Sequence, residues 1–413
     1  MKSPFLAKKN LFVFLLSLST VLFGQNANST GGTGFFSNNQ DSIIAETISK
    51  NTSLMAHEGN RFSGKGWELL LGEIQTSNHV LIGEDHFFNE IPEFVERITD
   101  EVRFDNFICE VDPFSIEILE EKIENFSEER LKAFKSDFGN TLSFFALYPE
   151  FQLLEKLIKK NTNIIGVDQI VMTTDRFLAS ELKKITTNGM ARNIYAEIEE
   201  NSAKFYPEFV SGNGSPFFFS DSFNQKLEVL GEMDLSKKET SIIESLKLSK
   251  KIYDNQSHSL RIQLIKHNYL DAFQQIKGHK NLYKLGVIHT GKGESLLGGF
   301  DIGNVAHNIA DSEFENSLHI LVLGKSGIKG SPMKGMPNTP LDISKGPLTS
   351  LRPFFDVVKG SEDWYVFDVG NISKDLNQSK AKIKISDRVL NNLLNGYDYL
   401  VVIPEVTPST FIY

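Results

Sequence analysis

Seven short apolar runs punctuate the chain, at 79–86, 106–112, 163–168, 283–289, 318–323, 364–368 and 397–405, and their ends carry charged or imidazole side chains. Four to six consecutive aliphatic residues predict strands buried on both faces, as in a sheet covered by helices. Between the first runs the apolar positions change period. Ile91, Phe94, Val95, Ile98 and Val102 recur at helical spacing, as do Ile116, Leu119, Ile123 and Phe126, and then Phe151, Leu154, Leu157 and Ile158. Strand, helix, strand repeated in this way implies parallel pairing with helices on the faces. The expected fold is α/β, with a largely parallel central sheet flanked by helices.

The rhythm breaks twice. From 170 to 278 the chain carries helical patterns and no convincing strand, with a turn-rich gap at 210–216, which predicts an inserted helical cap. Its last helix is expected to stop at Gly278, a residue suited to a left-handed cap. The stretch 324–353 is rich in Gly, Pro and Lys and leaves the end of a strand, so it is expected to form a lid loop. A polar, Gly-rich segment at 25–45 reads as a flexible lead-in to a domain spanning 46–413.

In open parallel sheets ligands bind outside the carboxyl ends of the strands. Glu84, His86, Glu110, Asp168, His289 and Asp368 are therefore expected along one rim. Glu84 and His86 stand two apart on one strand and share a side. A carboxylate beside an imidazole fixes its tautomer and raises its basicity, which suits a general base acting on water. His289 closes another strand and precedes the turn 290–293, where Lys292 and the backbone amides are offered to a substrate anion. Arg261 and Asn268, seven apart on one helix face, are expected to contact substrate, Arg261 through a substrate carboxylate or by holding Glu84 or Glu110. Asp168 and Asp368 are expected to cap helices, and His57, His258, His279 and His307 to lie at the surface.

Composition narrows the class. Lys8 and Lys9 precede an apolar run from 11 to 23, the pattern of an export signal cut near Gly24, which predicts a secreted or periplasmic protein without a stable membrane span. Residues 1–24 hold Lys2, Lys8 and Lys9 and no acid, so their removal takes the net charge from −10 to −13. An acidic chain without a basic cluster argues against nucleic acid as a partner. The one cysteine, Cys109, sits inside a predicted strand and is expected to be inert. There is no Gly-x-Ser-x-Gly elbow, no Gly-x-Gly-x-x-Gly after the first strand, no P-loop and no His-Glu-x-x-His. These absences disfavour serine hydrolases of the α/β type, nucleotide cofactors and the common metalloproteases.

Several of these pieces fall in a telling order: Leu81-Ile-Gly-Glu84-Asp-His86 followed by Glu90, Phe107-Ile-Cys-Glu110, Gly166-Val-Asp168, Arg261 with Asn268, Lys284-Leu-Gly-Val-Ile-His289, Phe300-Asp-Ile-Gly303 and the terminal Tyr397-Asp-Tyr-Leu-Val-Val-Ile-Pro. Over roughly 65–410 the chain resembles the erythromycin esterase-like proteins and their wider superfamily, which includes the haem-binding ChaN proteins and the TraB/Tiki proteins. The resemblance implies a hydrolase of ester or related acyl bonds with Glu84, His86, Glu110 and His289 as catalytic residues and a small-molecule or acyl substrate. It implies no cofactor for the esterase branch. The Tiki branch implies instead a divalent transition metal held by those same four residues, and the ChaN branch a haem with a histidine ligand, for which the 33 phenylalanines offer an apolar lining. The esterases carry two residues between the Glu and the His. Here there is one, Asp85, which is the ChaN-like spacing and weakens any carry-over of macrolide specificity.

Overall fold

The computed structural model describes residues 38–413, apart from 60, 297, 345, 361 and 380–382. The export-signal reading of 1–24 and most of the lead-in lie outside the described residues. All seven apolar runs form strands. With three further short strands they make β1 (Thr52–Glu58), β2 (Arg61–Ser63), β3 (His79–Glu84), β4 (Asn106–Cys109), β5 (Asn163–Gly166), β6 (Asn281–Gly286), β7 (Ser317–Lys329), β8 (Thr339–Pro340), β9 (Trp364–Asp368) and β10 (Tyr399–Val406). They form one sheet in the order β2-β1-β9-β10-β7-β3-β6-β4-β5, with β8 paired to the end of β7.

Six adjacent strands, from β10 to β5, run parallel. Their alternation explains the uninterrupted apolar runs. Val80 and Ile82 face one core cluster while Leu81 faces another, and Val401 and Leu400 divide in the same way. Both faces are thus dry, as parallel sheets require. Helices Glu90–Glu101, Pro113–Asn125 and Tyr148–Lys159 cover the first face, each following the apolar period read from the sequence.

β9 pairs antiparallel with β10, and Asp368 lies opposite Tyr399, the first residue of β10. Its carboxyl end therefore lies at the opposite rim from those of the parallel strands. This removes Asp368 from the predicted site; it caps the helix Val369–Gln378 through the Asn371 amide at 2.8 Å, in the capping role also expected of it.

Residues 170–278 contain helices and one 3₁₀ turn and no strand. The last long helix, His258–Asp271, ends at Ala272, and a separate turn, Phe273–Ile276, leads to Gly278 at φ 74°. The expected loop at 324 starts later. β7 continues to Lys329 because Ser326 and Gly327 stay in register with Glu405 and Val406 of β10. At the other end, the helix Asn38–Lys50 reaches into the expected lead-in, since Ile44 and Ile48 are buried in the second core cluster. No helix among the described residues is long and apolar enough to cross a membrane.

After β10 the chain folds back over the carboxyl rim. Ser409 donates to the Phe87 carbonyl, Tyr148 to that of Thr410 and Ile412 to that of Ala146. This strap joins the segment after β3 to the turn at 143–146 and the start of the helix Tyr148–Lys159.

Candidate active site

β3 delivers Glu84 at its last position, and the chain turns sharply after it, with Phe87 in the left-handed region at φ 77°. The turn brings the His86 ring back so that Nδ1 lies 2.7 Å from Glu84 Oε1. His86 keeps 20% of its side-chain surface, whereas Glu84, Glu110, Arg261 and His289 are buried. Phe144 packs on the imidazole at 4.5 Å between centroids, and Phe87 lies beside both rings.

Glu110, directly after β4, bridges the two predicted imidazoles. Its Oε2 lies 3.5 Å from His86 Nε2 and its Oε1 3.5 Å from His289 Nε2. The Gly286 amide donates to Oε2 at 2.5 Å. A Cβ at that position would stand 2.7 Å from His86 Nε2, so any larger residue would displace the imidazole. Arg261 donates to Glu110 Oε1 at 2.6 Å and, through Nε and Nη2, to both oxygens of Asp168. Asp168 is thus the second partner of Arg261 and not a helix cap. Burial alone would push Glu110 toward its neutral form, but His289, His86 and Arg261 outweigh it and hold the carboxyl well below the usual carboxylate range.

His289 has no exposed surface, and its Nδ1 lies 2.8 Å from Asp301 Oδ2. Asp301 also caps the helix Ile302–Ser312, so one carboxylate fixes both the helix and the ring. Burial disfavours the imidazolium, yet Asp301 and Glu110 prevail and raise His289 to about 10, which makes it a fixed cation at neutral pH. Its Nε2 makes no hydrogen bond, and neither do Arg261 Nη1 and His258 Nδ1 nearby. Polar atoms left without a hydrogen bond are costly to bury.

His258 corrects an expectation. It is half-buried, with its ring 6.0 Å from that of His289. Burial, with the charges of His289 and Arg261, lowers it to about 4, so one imidazole is neutral and its neighbour cationic. Two other predicted contacts lie apart from the cluster. Asn268 sits two helical turns from Arg261 and ties down the backbone carbonyls of Val167 and Asp168. Lys292 pairs with Asp398, just before β10, at the opposite rim. The turn at 290–293 packs back across the sheet, where Thr290 sits so close to Gly83 that a Cβ at that glycine would be 2.2 Å from its hydroxyl.

Two residues of the site were not singled out from the sequence. Lys284, inside β6, places its ammonium 2.8 Å from both oxygens of Glu84 and 2.6 Å from Glu150 Oε1. A lysine at an inward position of a buried run is a legible signal. Glu150, in the first turn of its helix, resembles any acidic N-terminal residue and gave none.

The four residues offered as alternative metal ligands lie in one cluster, with their carboxylates already paired. Glu84 is engaged by Lys284 and His86, and Glu110 by Arg261 and the Gly286 amide. The resident cations occupy those carboxylates. Among the described residues no group of three or more His, Cys, Asp or Glu side chains is placed to hold a metal ion. Cys109 is buried beside Lys284, and burial pushes its thiol up, as expected of an inert group.

No protein-family model matches this chain, and no curated protein does. Solved structures do. A mutant of the erythromycin esterase EreC in its open conformation aligns with a TM-score of 0.53 at 15% identity, covering 88% of this chain and 99% of that one. A protein from Bacillus cereus aligns at 0.50 and 14% identity, covering 90% and 99%. The chain therefore has the fold shared by these proteins, in keeping with the resemblance read from the sequence.

Proposed function

We propose that the protein hydrolyses an ester or related acyl bond, with His86 as the general base on water. The observation that carries this is the 2.7 Å contact between Glu84 and His86 Nδ1, which leaves Nε2, 3.5 Å from Glu110 Oε2, without a hydrogen bond at a partly exposed position of a buried charged cluster. Nε2 takes a proton from water as the oxygen attacks the acyl carbon. The carbonyl electrons move onto oxygen, where Arg261 Nη1 and His289 Nε2, neither of which makes a hydrogen bond, supply positive charge. Collapse of the tetrahedral species breaks the bond to the leaving group, which takes up the proton held on His86.

Glu110 holds His289 and Arg261 in place and sets their charge. The cavity bounded by Glu84, Glu110, Glu150, Lys284 and Phe144 measures about 10 Å³, room for one water. Substrate entry therefore requires Phe144 to move off His86. The fold shared with an erythromycin esterase supports the reaction class without fixing the substrate. The apolar run near the amino terminus supports export to a periplasm or the exterior.

A panel of chromogenic esters, thioesters and lactones tests this with wild type and His86→Ala. Turnover of at least one member should fall by about 10²–10⁴-fold in the variant. Unchanged turnover in folded His86→Ala, or none by wild type across the panel, would sink the reading.

A further inference from the structure

We propose that Lys284 is a positioning residue that decides which nitrogen of His86 carries the proton. The juxtaposition is an unbroken buried chain: Glu150 Oε1, Lys284 Nζ, the two oxygens of Glu84, and His86 Nδ1, at 2.6, 2.8 and 2.7 Å. This rests on His86 being the base, and it adds the group that keeps the base in working form.

A neutral imidazole has one N–H, and its neighbours choose where that proton sits. While Glu84 is ionised it can only accept, so Nδ1 must donate and Nε2 keeps its lone pair for water. Were Glu84 protonated, its O–H would donate to Nδ1, the ring proton would move to Nε2, and the base would be blocked. One proton on Glu84 is enough to switch the site off.

Glu84 is buried at the end of a strand. A carboxylate so placed stays charged only beside a cation. Lys284 is bonded to both of its oxygens, reaching it from β6 on the shared face of the sheet. The surroundings of this contact, Phe107, Cys109, Val111 and Phe145, are apolar and strengthen it.

Glu150 gives the arrangement its asymmetry. Burial pushes Glu150 up to about 7 despite Lys284, while for Glu84 the combined pull of Lys284 and His86 outweighs burial and holds it below its ordinary value. Of the two carboxyls, a proton settles on Glu150 first, and Glu84 is spared.

The test is a ¹⁵N-histidine NMR spectrum of the full chain, with His86 assigned from the signal lost in His86→Gln. Wild type and Glu150→Gln should both show the Nδ1–H form at His86. Lys284→Met should show the Nε2–H form, with kcat down by roughly 10²-fold and KM little changed. Lys284→Arg should restore Nδ1–H. An Nδ1–H signature in folded Lys284→Met overturns the proposal. If that variant does not fold, an Nε2–H signature in wild type or in Glu150→Gln overturns it equally. The spectrum needs no substrate, so normal turnover by His86→Ala would sink the hydrolytic reading and leave the assignment of Lys284 to be judged on the tautomer.

Discussion

The central strands of the sheet meet different chemistry at their two ends. At the amino rim the first residues of β5, β4, β6 and β3 form a ladder: Asn163 donates to Asn106, Asn106 to Asn281, and the Asn281 amide lies against His79. His79 continues the network to Tyr283 and Glu315, and Tyr283 to Tyr269. The ladder rungs are neutral amides, and their surplus donors reach the carbonyls of Gln275 and Ile276. At the carboxyl rim the groups are charged, share partners, and leave Arg261 Nη1 and His289 Nε2 without a hydrogen bond. A structural rim completes its hydrogen bonds, while a working rim holds some in reserve for a visitor.

That contrast is easiest to break at Arg261. Arg261→Met should strand Glu110 and Asp168 as buried anions and cost about 3–5 kcal/mol, read by urea unfolding. A loss under 1 kcal/mol would mean the two carboxylates are not charged together. On the amino rim Asn281→Ala should cost about 1–3 kcal/mol by removing one acceptor from the Asn106 amide and a donor from the Ile276 and His279 carbonyls, with kcat per folded molecule unchanged. A fall in kcat there would blur the division between the rims.

A pH series sharpens it further. His289 is raised in the folded protein, so its stabilising contribution is complete below about 6.5 and fades as pH climbs toward about 10. Unfolding free energy should fall over that window by no more than about 1.4 kcal/mol per pH unit for one proton. His289→Asn should flatten this part of the curve; an unchanged slope would assign the titration elsewhere.

Seven of the ten strands, the helices that follow them over the first face and the Glu84–His86–Glu110–His289 grouping were legible because apolar period and strand ends are local properties of sequence. Arg261 was legible as a partner for Glu110, but its hold on Asp168 was not, since a carboxylate after a strand looks the same whether it caps a helix or meets a distant arginine. The direction of β9 was hidden too, because an apolar run of five carries no record of which neighbour it will pair with. Lys284 was visible as an anomaly inside a buried strand. Glu150 and His258 were invisible, because each acquires its surroundings only when its helix meets β6 or the segment that follows it.

The strap after β10 bears on the order in which the molecule assembles. The Asn89 side chain reaches the Pro408 carbonyl at 3.0 Å across 319 positions of chain, and Thr407 returns the contact to Glu90. Contacts that close such long loops lag behind helices and neighbouring strand pairs, since the chain entropy they cost comes before any gain. The turn carrying His86 and the segment carrying Phe144 are therefore fastened together late. Refolding followed at Phe144 should trail refolding followed by helix content, so that a chain with its sheet already formed is still waiting for its mouth.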